Sequence, residues 1–141
     1  MIRSRTVDTS IGSPCFHIER RRNSLGDRHE WTKETAASNL AVLGVDPANT
    51  PVVTRDQVKY AKPDPDLFIA AAERLCARIE AAVVIGDSIW DMLAARRCHA
   101  LDVGLLSGGY GTDELERSGA ARVYEDPADL LKHVDEVGGR R

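Results

Sequence analysis

At 141 residues the chain is long enough for one domain and too short for two of ordinary size. An apolar fraction of 43% is that of a globular protein, and a formal net charge of −3 gives no electrostatic reason to expect nucleic acid as a partner. No apolar run approaches about 18 residues, and residues 1–30 hold no apolar core of about 7 to 15, so neither a membrane span nor a secretory leader is expected. Cys15, Cys76 and Cys98 are widely spaced with no CxxC pair, which suggests reduced thiols in a cytoplasmic setting. Cys76 and Cys98 are expected to be small packing residues on helices.

Taken in chain order, residues 1–32 mix arginine with polar residues and lack steady periodicity, so they are expected to be a poorly ordered or non-native N-terminal segment. Arg20, Arg21 and Arg22 stand beside Glu19 without aromatic interleaving, which reads as a solvated face rather than a nucleic-acid or membrane site. From Lys33 to Arg141 the signals alternate. A helix is expected over 33–43, a strand over 51–54, a helix over 65–78, a strand over 82–86 and a helix over 88–98. Then come a strand over 101–106, a helix over 112–118, a strand over 121–124 and a helix over 126–136. That alternation argues an α/β fold, a three-layer Rossmann-like parallel sheet with helices on both faces.

Two motifs carry the chemistry. In the run from Ala81 to Ala95, five apolar residues bounded by Gly86 read as a buried parallel strand, and Leu93, Ala94 and Ala95 read as helix. Asp87 therefore falls at a strand's carboxyl end, where ligands bind in open α/β sheets. Asp91 follows one helical turn later, so both carboxylates can face one point. Two hard oxygen ligands, completed by a phosphate oxygen and waters, suit magnesium. The plainer reading has Asp87 or Ser88 as a helix N-cap and Asp91 exposed in the first turn. The second motif is Lys62-Pro63-Asp64-Pro65. A residue before proline avoids the helical region and Pro65 can open a helix, so Lys62 is held in an extended loop as a preorganised charge. A lone lysine near a helix start is more often a solvated surface residue.

Lys62 to Pro65 followed by Gly86 to Asp91 resembles the haloacid dehalogenase-like superfamily of phosphatases, in particular its phosphoglycolate phosphatase and phosphoglucomutase-like branch. The resemblance covers roughly residues 33–137, the C-terminal part of such a core domain. It implies a magnesium cofactor, a small phosphorylated metabolite as substrate, Lys62 as the catalytic cation that neutralises the phosphoryl group, and Asp87 and Asp91 as metal ligands. In that family phosphoryl transfer to an aspartate precedes attack by water, and positioning with charge neutralisation supplies most of the catalysis.

The chain departs from the family pattern upstream. No apolar strand ends in Asp-x-Asp, and Asp8 in the polar run from Arg5 to Ser10 is a poor nucleophile candidate. The expected sheet is therefore incomplete, lacking the nucleophile strand and the cap domain. It would leave the 82–86 strand with an unpaired apolar edge and separate it from the 51–54 strand. Such an edge invites self-association or pairing with a chain carrying the front half, and makes the isolated chain marginally stable. Ser107 to Gly111 is read as a strand-end turn rather than a phosphate cradle, because it lacks a P-loop's lysine and spacing. His99 and His133 have no partner at metal spacing and are expected at the surface.

Three functional readings follow: a magnesium-dependent phosphatase by descent with little or no turnover alone, half of a two-chain phosphatase, or a non-catalytic interaction module. Where the family has a strand ending in Ser or Thr, this chain has the polar run Ser24 to Thr32. Read one base later with permissible codons, that run becomes Pro-Trp-Ala-Ile-Ala-Thr-Ser-Gly, an apolar strand ending in Thr-Ser. Sequencing the coding DNA over residues 24–33 is expected to return codons compatible with that shift; incompatible codons remove the idea.

Overall fold

The computed structural model describes residues 36–37, 40–42, 44–46 and 48–138. The segment expected to be non-native, with Asp8, Cys15 and the arginine cluster, lies outside them. Ala36, Ala37, Leu40, Ala41 and Val42 are helical. Then follow α1 (Asp66–Arg74), β1 (Val83–Gly86), α2 (Ile89–Arg97), β2 (Leu101–Leu105), α3 (Thr112–Ser118), β3 (Arg122–Tyr124) and α4 (Pro127–Lys132).

The three strands form a parallel sheet in the order β1-β2-β3, with Val83 opposite Leu101 and Val103 opposite Arg122. Alternation along the strands decides which helices cover which face. Val83, Ile85, Val103, Leu105 and Tyr124 cluster with Leu130 of α4 and with Val137. Val84 points the other way and packs with Phe68 of α1 and Ala94, Ala95 and Cys98 of α2. Met92 and Leu115 join α2 to α3 in a third cluster. The result is a three-layer α/β arrangement with a short parallel sheet in the middle. Ala94 and Ala95 are fully buried, and an ideal Cβ on Gly104 would lie 3.0 Å from Leu115 Cδ1, so small residues set the close approach of helices to the sheet.

Several boundaries differ from the sequence reading. The expected strand at 51–54 makes no sheet pairing among the described residues. Instead Arg74 of α1 donates to Val52 O and, through Nη2, to Gln57 Oε1 at 3.0 Å. Four residues with strand propensity remain a loop because no described strand lies beside them to share a ladder.

The helix expected over 65–78 stops at Arg74. Cys76 takes a left-handed φ of 50°, its N–H donates to Glu73 O, and Ala77 N–H donates to Ala72 O. This is a Schellman ending, which uses the orphan carbonyls of the last turn. The same device ends α2, where His99 has a φ of 61° and Ala100 N–H returns to Ala95 O. Cys76 is accordingly exposed rather than packed on a helix, whereas Cys98 is buried as expected.

The helix expected over 126–136 divides into α4, capped by the Asp126 carboxylate on Asp129 N–H, and a 3-10 turn at Val134–Val137. Between them His133 keeps a side chain 41% exposed, at the surface as expected, and stacks on Tyr124 at 5.5 Å. Burial also pushes the Tyr124 hydroxyl upward, reinforced by the neighbouring Glu136 carboxylate.

One buried carboxyl lies far from the chemistry described below. Asp102 is 6% exposed, and its Oδ2 has no hydrogen-bond partner among the described residues. Burial raises its pKa to about 6, an effect that its own backbone N–H and the Arg96 charge only partly offset. The folded state therefore holds this proton more tightly than the unfolded chain, whose ordinary value is 3.8. Stability from this group is fully present below that ordinary value and is lost as pH rises through about 6, by about 1 to 3 kcal/mol. Thermal unfolding of Asp102→Asn across this window is expected to show a flatter pH dependence than wild type.

Candidate active site

The carboxyl end of β1 delivers Asp87, only 1% exposed, into the crevice between strand and helix. Ser88 then turns the chain and caps α2. Its Oγ accepts from Asp91 N–H at 3.3 Å, while the Asp91 carboxylate accepts from Ser88 N–H at 3.1 Å. This is a capping box in which aspartate replaces the usual glutamate. Ser88 Oγ also donates to Asp91 Oδ2 at 2.6 Å. Asp91 thus does what the plainer reading asked of a first-turn acid, yet it is buried at 3% rather than exposed.

Its other oxygen explains the burial. Lys62 Nζ lies 2.6 Å from Asp91 Oδ1, with both side chains nearly closed off from solvent. Lys62 also sits 5.6 Å from the centre of the buried Phe68 ring, which shields one side of the charge. The Lys62–Pro63 peptide is cis. From 29 positions before Asp91 the loop brings its amine to the first turn of α2. The lysine is not the solvated surface residue of the plainer reading, and removing either member of such a buried pair would leave a stranded charge.

Two glycines that sequence reasoning did not assign to the site shape it. An ideal Cβ on Gly86 would fall 2.3 Å from Asp91 Cβ, and one on Gly108 would fall 1.8 Å from the Asp87 carbonyl oxygen. The turn after β2, a 3-10 segment at Leu106–Gly108 followed by Gly109 with a φ of 85°, therefore closes directly on Asp87. Run Ser107 to Gly111 is a strand-end turn, as expected, but its position makes it a wall of the site. Ser88 was seen only as a capping candidate, and Phe68 only as part of a helix. Both act on a near neighbour in sequence, Ser88 on Asp91 and Phe68 on Lys62, but only the fold shows that these neighbours meet in one buried site.

Asp87 and Asp91 are hard oxygen donors of the type that magnesium takes. Among the described residues no group of three or more His, Cys, Asp or Glu side chains is arranged to hold an ion. Both Asp91 oxygens already meet protein groups, Lys62 and Ser88. The donor chemistry fits magnesium at Asp87, with Asp91 engaged beside it and the remaining oxygens left to substrate and water. The segment in which a Ser or Thr strand was sought lies outside the described residues.

A parallel sheet with a buried aspartate after its first described strand, a second one helical turn on and a lysine folded against it defines an α/β protein with a charged site at the carboxyl end of its sheet. Residues 26–99 match the model of the haloacid dehalogenase-like hydrolases. Pyrophosphatase PpaX of Listeria welshimeri is 33% identical over 101 residues, covering 72% of this chain and 46% of that protein. Among solved structures, a hydrolase from Pseudomonas syringae is 61% identical with a TM-score of 0.73, covering 75% of this chain and 50% of that one. A haloacid dehalogenase family hydrolase from Deinococcus radiodurans, solved with bound phosphate and sodium, is 30% identical with a TM-score of 0.66, covering 77% and 50%. The chain belongs to the haloacid dehalogenase-like hydrolase family. It spans about half the length of these relatives.

The turn against Asp87 and the N-cap of α3 are expected to respond differently to an added methyl. Gly108→Ala is expected to lower stability by more than about 1 kcal/mol, because backbone must move to relieve the overlap with Asp87. Gly111→Ala, whose Cβ would meet only Glu114 Oε2 at 3.5 Å, is expected to stay within about 0.5 kcal/mol of wild type. Urea unfolding of both variants checks the contrast.

Proposed function

We propose that this chain carries the lysine and metal half of a magnesium-dependent phosphomonoester hydrolase acting on a small phosphorylated compound. The observation that carries the reading is the closed Lys62–Asp91 contact beside buried Asp87. An amine already held by a carboxylate keeps its place, so it meets phosphoryl oxygens without the reorganisation that a mobile lysine would need. Asp91 holds that amine and is itself fixed by Ser88. Asp87 is the proposed magnesium ligand, and when bound there the ion supplies a second positive charge for the phosphoryl oxygens. Closure of the Gly108 turn over Asp87 limits water around these charges, which strengthens each of them.

Phosphoryl transfer also needs an acceptor, and a missing nucleophile costs several orders of magnitude in rate. No apolar strand ending in Asp-x-Asp is present in the sequence. Turnover on this reading therefore requires a segment that carries the acceptor aspartate, docked along the edge of β1. Similarity to a pyrophosphatase, and to a hydrolase solved with phosphate, supports phosphate as the recognised group.

Hydrolysis of p-nitrophenyl phosphate with magnesium is expected to be negligible for this chain alone. It should rise by at least about a hundredfold when the unmatched half of the Pseudomonas syringae hydrolase is added, and fall again with Lys62→Met. Brisk hydrolysis by the chain alone would overturn the split-site reading, and full activity of the mixed Lys62→Met sample would overturn the role of the lysine.

A further inference from the structure

The loop that presents Lys62 is held by helix α2 at more than one height. In the helix's first turn Asp91 takes the amine at 2.6 Å. In its last turn Arg97 Nη1 donates to the carbonyl oxygen of Pro63 at 3.0 Å and meets Asp64 Oδ1 at 3.4 Å. Between these, Phe68 at the start of α1 shares a buried cluster with Ala94. Six residues separate the outer two anchors, about 9 Å of helix axis. Neighbouring Arg96 serves elsewhere, its charge acting on Asp102. Arg97 is half exposed, and its contacts with Pro63 and Asp64 reach across 34 and 33 positions of sequence.

We propose that Arg97 is a positioning residue for Lys62. By gripping the two residues that follow the lysine, it fixes the backbone from which the amine reaches Asp91, so one rigid helix sets both the acid and the base of the pair. A guanidinium suits this task because it stays charged and offers several donors from one plane, here shared between a carbonyl and a carboxylate. Without the grip, the backbone next to the lysine loses its direct tie to the helix's last turn, and the amine spends more of its time away from Asp91. That the positioned amine serves phosphate rests on the phosphatase reading above; the grip itself is measurable without turnover.

The test is lysine acetylation by a limiting reagent, followed residue by residue with mass spectrometry on the intact folded chain. Lys132, with a side chain 72% exposed, is the internal reference. Arg97→Ala is expected to raise the acetylation rate of Lys62 about three- to tenfold, the range for losing one charged hydrogen bond and an exposed ion pair. Lys132 should stay within about twofold, as expected for a surface residue away from the change. Arg97→Lys, which can still donate to Pro63 O, should restore most of the protection. Asp64→Asn, a surface change, should give a smaller rise and keeps the test available if Arg97→Ala does not fold. An unchanged Lys62 rate in the Arg97 and Asp64 variants overturns the proposal. So does a parallel rise at Lys62 and Lys132, which would mark Arg97 as a general stabiliser. Failure of the phosphatase assay would leave these rates unaffected, so the two readings fail separately.

Discussion

A buried ion pair between Lys62 and Asp91 is the contact on which the rest of the site depends. Each charge would be costly in that place without the other, since desolvation of an ion amounts to several kcal/mol. The pair therefore requires the loop before α1 and the first turn of α2 to sit together, and the chain meets that requirement with short-range devices. Ser88 and Asp91 satisfy each other's backbone groups, and Phe68 covers the amine. Glycine at position 86 removes the one side chain that would push Asp91 away.

Helix α2 is the spine of this arrangement. Its buried alanines rest on β1, its Met92 side meets α3, and its two ends hold the Lys62 loop. Asp87 directly follows β1 and directly precedes the cap Ser88, so strand and helix cannot move independently without disturbing both carboxylates. The turn at Gly108 adds a second strand's loop to the same point. The carboxyl ends of β1 and β2 thus converge with the Lys62 loop, where helix N-termini and loop backbone favour an anionic ligand.

Membership of the hydrolase family is established by sequence and fold, while the chain covers only about half of its relatives. In the described sheet β1 pairs on one side only, with β2. Its four residues are all buried even so, and their apolar character suits a central strand rather than an edge. The described helices are too short and insufficiently apolar to cross a membrane.

Much of the fold was legible along the chain. Apolar run Val83 to Ile85 ending in Gly86, the alternation of strands and helices after it, and the proline-flanked Lys62 are local patterns whose period and backbone restrictions declare the element. Sequence alone also singled out Lys62, Asp87 and Asp91. It misjudged 51–54 and Cys76, because a strand needs a neighbour to pair with and a helix end depends on which residue will accept a left-handed conformation. Only tertiary structure decided that Asp91 is at once a helix cap and a lysine's partner, that Gly108 abuts Asp87, and that Arg97 holds the lysine's loop. Those contacts join residues between about 20 and 35 positions apart, and a linear pattern carries no record of distances that folding alone creates.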